Sequence, residues 1–195
     1  MSTLSEQSLP AEELDPQITD SCLIKRCLQG DKHSFSLLYK RYQQKVRSTL
    51  YRFGTNSNLD DLVQEVFIRV WKGLPRLRQT THFSTWLYRI TWNVATDEQR
   101  RWHQLYTQKQ ALSQNLQVIS LSSQIEDMHY QDLVQRSLQT LSFDHRCVLV
   151  LHDLEERPQK EIAEILGIPV GTVKSRLYHA RSYMRDYLKQ QGLEL

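Results

Sequence analysis

The sequence predicts an all-α protein of two small helical domains joined by a flexible linker, the C-terminal domain being built on a helix-turn-helix. Three observations predict it. Apolar residues recur three and four positions apart in each patterned segment, which is the spacing of one helix face. That pattern lapses from 102 to 127, where Gln, Ser and Asn carry scattered Leu and Ile, and so long an unpatterned stretch separates two units. Residues 158–188 then read as a short helix, a tight turn and a longer basic helix.

The chain has 195 residues, enough for two small cores, with 39% hydrophobic and 24% charged residues. Mean hydropathy is −0.56, and no apolar run approaches a membrane span of roughly 18 residues. The N-terminus lacks the layout of a secretion signal, so a cytoplasmic protein is expected. Net charge is only +3, so any contact with nucleic acid must come from local basic patches. Cys22, Cys27 and Cys147 form no CxxC and have no histidine pair at zinc-finger spacing, so no metal, cofactor or disulfide is expected.

Residues 1–20 carry five acids and no Lys or Arg, and read as an acidic flexible tail. The first domain, 21–101, opens with an apolar stripe of Leu23, Ile24, Cys27 and Leu28, ended by Gly30, after which Asp31 caps the next helix. Phe35, Leu38, Tyr39, Tyr42, Val46, Leu50 and Phe53 hold helical spacing until Gly54. Leu59, Leu62, Val63, Val66, Phe67, Val70 and Trp71 trace a third helix whose outward start is Asp60, Asp61, Gln64 and Glu65. Acids there suit the helix macrodipole, yet Phe67, Ile68 and Trp71 widen the apolar surface past one stripe, which suits a protein-binding face.

A polar loop with Arg76 and Arg78 leads to the fourth helix, where Phe83, Trp86, Leu87, Ile90 and Val94 face inward. Arg89, Trp92, Asn93, Arg100 and Arg101 lie on the other face, and cations beside aromatic rings are what single-stranded DNA needs. The second domain, 128–190, resumes with Leu133, Leu138 and Leu141 and ends in the helix-turn-helix. There Gly167 closes a short helix, Pro169 fits the first turn of the next, and Val173, Leu177, Ala180 and Met184 face inward. Lys174, Ser175, Arg176, Tyr178, His179 and Arg181 occupy the remaining faces, a set able to neutralise phosphates and reach base edges in a major groove.

Three motifs in order carry a family likeness. They are Asp-Asp-Leu-Val-Gln-Glu-Val-Phe-Ile-Arg-Val-Trp at 60–71, Trp-Leu-Tyr-Arg-Ile at 86–90 with Asn93, Asp97 and Arg100 behind it, and Glu161-Ile162-Ala163 leading to Gly171-Thr-Val-Lys-Ser-Arg-Leu177. Together they resemble a bacterial RNA polymerase sigma factor of the extracytoplasmic-function (ECF) group, which keeps only the second and fourth sigma domains.

The resemblance implies a promoter-directing transcription initiation factor rather than an enzyme, in a stress or envelope response. It implies that Asp61, Gln64, Glu65, Phe67 and Trp71 dock on the clamp coiled coil of the largest subunit of core RNA polymerase, with a second contact at the flap region. Arg78, Thr80, His82 and Phe83 would capture an unstacked base of the −10 element, with Arg89, Trp92, Asn93 and Arg100 on the duplex edge and phosphates. Lys174, Ser175, Tyr178 and His179 would face the −35 element, with Arg176 and Arg181 on phosphates or in packing. His179 stands where relatives often carry arginine, which makes its contribution pH-dependent. An anti-sigma factor is a further expected class of partner.

Two other classes compete with this reading. An autonomous DNA-binding regulator accounts for the C-terminus but leaves the 60–71 surface without a purpose. An enzyme acting on nucleic acid finds no support, since no G-x-x-x-x-G-K-[ST], HExxH or GxSxG pattern is present.

Overall fold

The structure is a computed structural model that describes residues 18–55, 58–77, 82–112 and 129–192. Among them the regular elements are all helices: α1 (Asp20–Leu28), α2 (Lys32–Phe53), α3 (Leu59–Gly73), α4 (Phe83–Leu112), α5 (His129–Thr140), α6 (Phe143–Leu149), α7 (Gln159–Leu166) and α8 (Val170–Gln190). A 3₁₀ turn, Leu74–Arg76, follows α3, and a single π-helical turn, Val150–Leu154, extends α6.

The ends of these helices follow from their capping residues. Asp31 accepts from the backbone N–H of His33 at 2.9 Å and of Ser34 at 3.3 Å, which satisfies two otherwise orphaned donors of α2. Gly54 ends α2 at φ +74°, a left-handed conformation that a side chain would strain. Asn58 and Ser142 cap α3 and α6 in the same manner as Asp31.

In the N-terminal domain, α1 to α4 pack around Leu23, Ile24, Leu38, Leu50, Phe53, Val66 and Val70, all fully enclosed. In the C-terminal domain α5 to α8 enclose Leu138, Val148, Leu151, Ile162, Ile165 and Val173. Each such side chain contributes about 1.5–3 kcal/mol on leaving water, so both cores are held chiefly by burial.

In its elements and domain arrangement the structure departs from the sequence reading at four places. Asp20, assigned to the tail, opens α1 and binds Arg41 at 2.5 Å and the hydroxyl of Tyr42. Residues 102–112, assigned to the linker, continue α4. They carry good helix formers and are propagated from an anchored helix, so no apolar stripe of their own is required. Pro169 is the N-cap of α8 rather than a member of its first turn. Lastly, the two domains do not stand apart: α4 packs on α7, and α2 meets α6 and the π turn. The remainder of the expected linker lies outside the described residues.

Candidate nucleic-acid interface

Three surfaces carry the residues singled out in the sequence. The first is the outward face of α3. Asp61 and Gln64 are exposed, and Glu65 is part-exposed, bound by Arg69 Nε at 2.8 Å. The other arm of that guanidinium reaches Asp97 on α4, also at 2.8 Å, so Arg69 ties α3 to α4 beneath the acidic face. The bonds from Asp97 and Glu65 raise the Arg69 pKa further above neutrality despite the cost of burial.

Phe67 departs from expectation here. It is 4% exposed, packed against Tyr39 at 4.6 Å between ring centres, and belongs to the core rather than to a docking face. Trp71 is 41% exposed and leans on Phe35 at 4.7 Å, so one flank of its ring is fixed and the other is open. Ile68 lies beside it, 39% exposed.

The second surface belongs to α4. Arg89, Asn93 and Arg100 are exposed along one side of the helix, while Trp92 is part-buried and packs on the core. His82 is exposed at the helix entrance. Phe83, which the resemblance expected to meet a base, is 1% exposed and held by Tyr42 and Trp86 at 5.5 and 6.0 Å, so it belongs to the core. Arg78 and Thr80 lie outside the described residues. Beyond the expected set, Trp102 and Tyr106 stack at 5.2 Å on the same helix, an i, i+4 pair that an unpatterned reading of 102–127 could not find.

The third surface is the helix-turn-helix. Gly167 at φ +66° closes α7 and sends the chain through a short turn into α8. Val173, Leu177 and Ala180 anchor α8 in the core, which leaves Lys174, Ser175, Tyr178 and His179 exposed on its outer side. Tyr178 is 73% exposed, far more than a ring kept for packing. Lys174, Tyr178, Arg181 and Arg185 line one shallow groove together with Gln159 at the start of α7.

Two of the predicted cations are engaged within the protein. Arg176 binds Asp144 on α6 at 2.6 Å, and Arg181 binds Asp153 at 2.5 and 3.0 Å with His152 alongside. Burial alone would raise the Asp153 carboxyl, but the bonds from Arg181 and His152 outweigh it and hold it below the ordinary carboxylate range. His145, His179 and Tyr183 form an aromatic cluster at the far side of α8, with centroids 5.9 to 6.4 Å apart.

The family model of sigma-70 region 2 matches residues 38–104, and that of sigma-70 region 4 matches residues 131–184. The ECF RNA polymerase sigma-E factor of Haemophilus influenzae is 31% identical over 183 residues, covering 89% of this chain and 97% of its own length. This chain belongs to the ECF sigma factors. The sigma-E factor of Escherichia coli K12 is 33% identical over 183 residues, with 86% of this chain and 93% of the relative covered.

Two solved structures share the fold. CnrH, solved in complex with the cytosolic domain of CnrY, superposes with a TM-score of 0.64 at 24% identity, covering 88% of this chain and 97% of that one. The sigma factor RpoE of Bartonella quintana, solved with the anti-sigma factor NepR, gives 0.63 at 23% identity, covering 80% and 96%. As an ECF sigma factor, the protein acts with RNA polymerase in promoter-specific transcription initiation. The region 2 match runs from within α2 into α4 and the region 4 match from α5 into α8, so region 2 here names the first helical domain and region 4 the second.

One residue group lay beyond sequence reasoning. Glu155 follows the π turn and is almost wholly buried, with Thr49, Arg52 and Tyr88 bonded to its carboxylate. In the sequence Glu155-Glu156-Arg157-Pro158 looks like an ordinary polar loop, and no spacing marks it.

Proposed function

We propose that region 2 holds the core polymerase through the outer face of α3 while reading the −10 element with α4, and that region 4 reads the −35 element with α8. The observation that carries this division is the position of the charged groups. Asp61, Gln64 and Glu65 lie together on α3, whereas the exposed cations Arg89 and Arg100 lie on α4 and Lys174 on α8. An acidic face suits a basic protein partner and repels DNA, and the basic faces do the reverse.

On α8, Lys174, Ser175, Tyr178 and His179 supply the base-edge and phosphate contacts. Arg176 and Arg181 act first as packing ion pairs, because each already has a carboxylate partner. On α4, Arg89, Asn93 and Arg100 handle phosphates and the duplex edge, Trp92 offers its open edge, and the loop of Arg78, Thr80 and His82 takes the unstacked base. Trp71 extends the α3 face with an apolar anchor of the kind that dominates protein interfaces. Region 4 meets the flap region of the polymerase.

The factor is non-enzymatic, works in the cytoplasm, and serves a stress or envelope response. The two solved relatives were captured with an anti-sigma factor or a cytosolic partner domain, and an inhibitor of that class is proposed for this chain as well.

Run-off transcription tests the reading. Purified chain with sigma-free core polymerase on fragmented genomic DNA is expected to give starts that share two short upstream elements. The variant with Asp61, Gln64 and Glu65 all changed to Lys is expected to lose those starts while keeping its helical content. Starts that persist in that variant would overturn the α3 assignment.

A further inference from the structure

The two DNA-reading domains are fastened to one another through a buried carboxylate. Glu155 stands on the region 4 side, its side chain 3% exposed. Its Oε1 accepts from Thr49 Oγ1 at 3.0 Å and Arg52 Nη1 at 3.1 Å, both on α2, and its Oε2 accepts from the Tyr88 hydroxyl on α4 at 2.5 Å. All three donors belong to region 2. Burying a carboxylate is costly unless its lone pairs are satisfied, and here satisfaction comes only from across the seam.

The surroundings repeat the arrangement. Arg157 places its guanidinium 4.6 Å from the centre of the Tyr88 ring and binds Glu161 at 3.1 Å, and Glu161 accepts from Thr85 of α4 at 2.7 Å. Arg146 donates to the carbonyl of Phe53 at 3.1 Å, and Gln135 donates to that of Tyr51 at 3.1 Å. Tyr88 is 4% exposed, and burial together with the Glu155 bond pushes its hydroxyl well above the usual tyrosine value, so it remains a donor at any physiological pH. The π turn is what delivers Glu155: its backbone N–H bonds to Val150 O at 2.9 Å, five residues back.

This closed arrangement is too small for a two-element promoter. A compact chain of this length has a radius of gyration of about 16 Å, hence a breadth of roughly 40 Å. Elements named −35 and −10 lie about 25 base pairs apart, roughly 85 Å along B-form DNA at 3.4 Å per pair. The α3 face, in contrast, is open in the closed form, since the seam uses α2, α4, α5, α6, α7 and the π turn.

We propose that Glu155 is the latch of a closed resting state, in which region 4 is held on region 2 by Thr49, Arg52 and Tyr88 and must be released before both promoter elements are engaged. The open chain loses the three bonds and solvates the carboxylate, so the latch sets how much of the free factor is competent. Apparent affinity for a two-site target falls by the competent fraction, and loosening the latch raises it. This goes beyond the assignment of DNA-reading faces, because it concerns the free protein before any partner is met.

The test uses the full chain. Small-angle scattering is measured on wild type, Glu155→Ala and Tyr88→Phe, with helical content checked by circular dichroism. Tyr88→Phe keeps the ring and removes only one donor, so it decides the matter should Glu155→Ala lose helix. The expected result is a radius larger by several Å in both variants, with run-off transcription reaching half-maximum at a factor concentration roughly three- to tenfold lower. Equal radii in wild type and folded variants would overturn the latch, as would expansion with no shift in that concentration. Scattering needs no polymerase, so a failure of the transcription reading is visible separately as absence of starts with every chain.

Discussion

Arg146 occupies the space that Gly54 leaves open. The guanidinium of Arg146 lies against the Cα of Gly54 and donates to the Phe53 carbonyl beside it and to the Gln139 and Leu141 carbonyls, while its buried Nε has no partner among the described residues. Gly54 sits at φ +74°, so two separate constraints meet at one position. Burial pulls the Arg146 pKa down from its ordinary value, in keeping with a charge neutralised by carbonyl dipoles alone.

Gly54→Ala is therefore expected to destabilise the protein by about 2–3 kcal/mol. The left-handed backbone accounts for about 1–2 kcal/mol and the displaced Arg146 bond for about 1 kcal/mol. Urea denaturation followed by circular dichroism measures it. A loss under about 0.5 kcal/mol would mean that Arg146 moves aside freely.

Glu156 carries the opposite opportunity. It is the single non-glycine residue with positive φ among the described residues, at +53°, directly after Glu155. Glu156→Gly is expected to stabilise the fold by about 0.5–1 kcal/mol, the relief of the left-handed strain exceeding the added freedom of the unfolded chain. The same denaturation measurement gives the sign.

Lys174 and Arg176 are neighbours on α8 with different expected behaviour. Lys174 is exposed and Arg176 is bound to Asp144, with its side chain 26% exposed. Lys174→Ala is expected to weaken holoenzyme binding to a −35 duplex and to reduce the slope of log affinity against log salt by about one. Arg176→Ala is expected to leave the slope nearly unchanged and instead to lower stability by about 0.2–1 kcal/mol, as for an exposed ion pair. Equal slope changes for the two would show that Arg176 leaves Asp144 for a phosphate.

The histidine cluster makes stability depend on pH. His145 has its pKa lowered, first by burial and then by Arg176 and His179 nearby, while Asp144 opposes the shift and Ser142 bonds its Nδ1 at 2.7 Å. A depressed histidine is protonated more readily in the unfolded chain. Its contribution is thus present above the unfolded value of about 6.5 and is lost as pH falls from there toward the folded value. Denaturation midpoints from pH 7.5 to 5.5 are expected to decline, and His145→Asn to flatten part of that decline. A parallel decline in the variant would assign it to other groups.

Most of the helices and their inward faces could be read from the sequence, because a core leaves a periodic trace: Leu38, Tyr42, Val46, Leu50 and Phe53 on α2, or Val173, Leu177 and Ala180 on α8, recur three to four apart. The motif residues that resemble sigma factors were legible for the same reason, being local. Phe67 was misplaced because periodicity gives a face but not its depth, and a wide apolar arc looks alike whether it meets a partner or the protein's own next helix; the spacing put Phe83 inward, where it is, and only the family resemblance assigned it to a base. The end of α4 was missed because 102–112 has propensity without pattern. Glu155 left no trace at all, since its meaning lies in Thr49 and Tyr88, 106 and 67 residues away in the chain.

The seam that joins α4 to α7 also governs how the molecule comes apart under heat. Phe53 ends a region 2 helix, yet its ring meets Phe143 of region 4 at 6.4 Å and its carbonyl holds Arg146. Damage to either core is consequently felt by both, and the closed chain has the architecture of one cooperative calorimetric unit rather than two melting independently. Once the domains part, each must survive on its own smaller core, so the free open chain would melt below the closed one until a partner covers it.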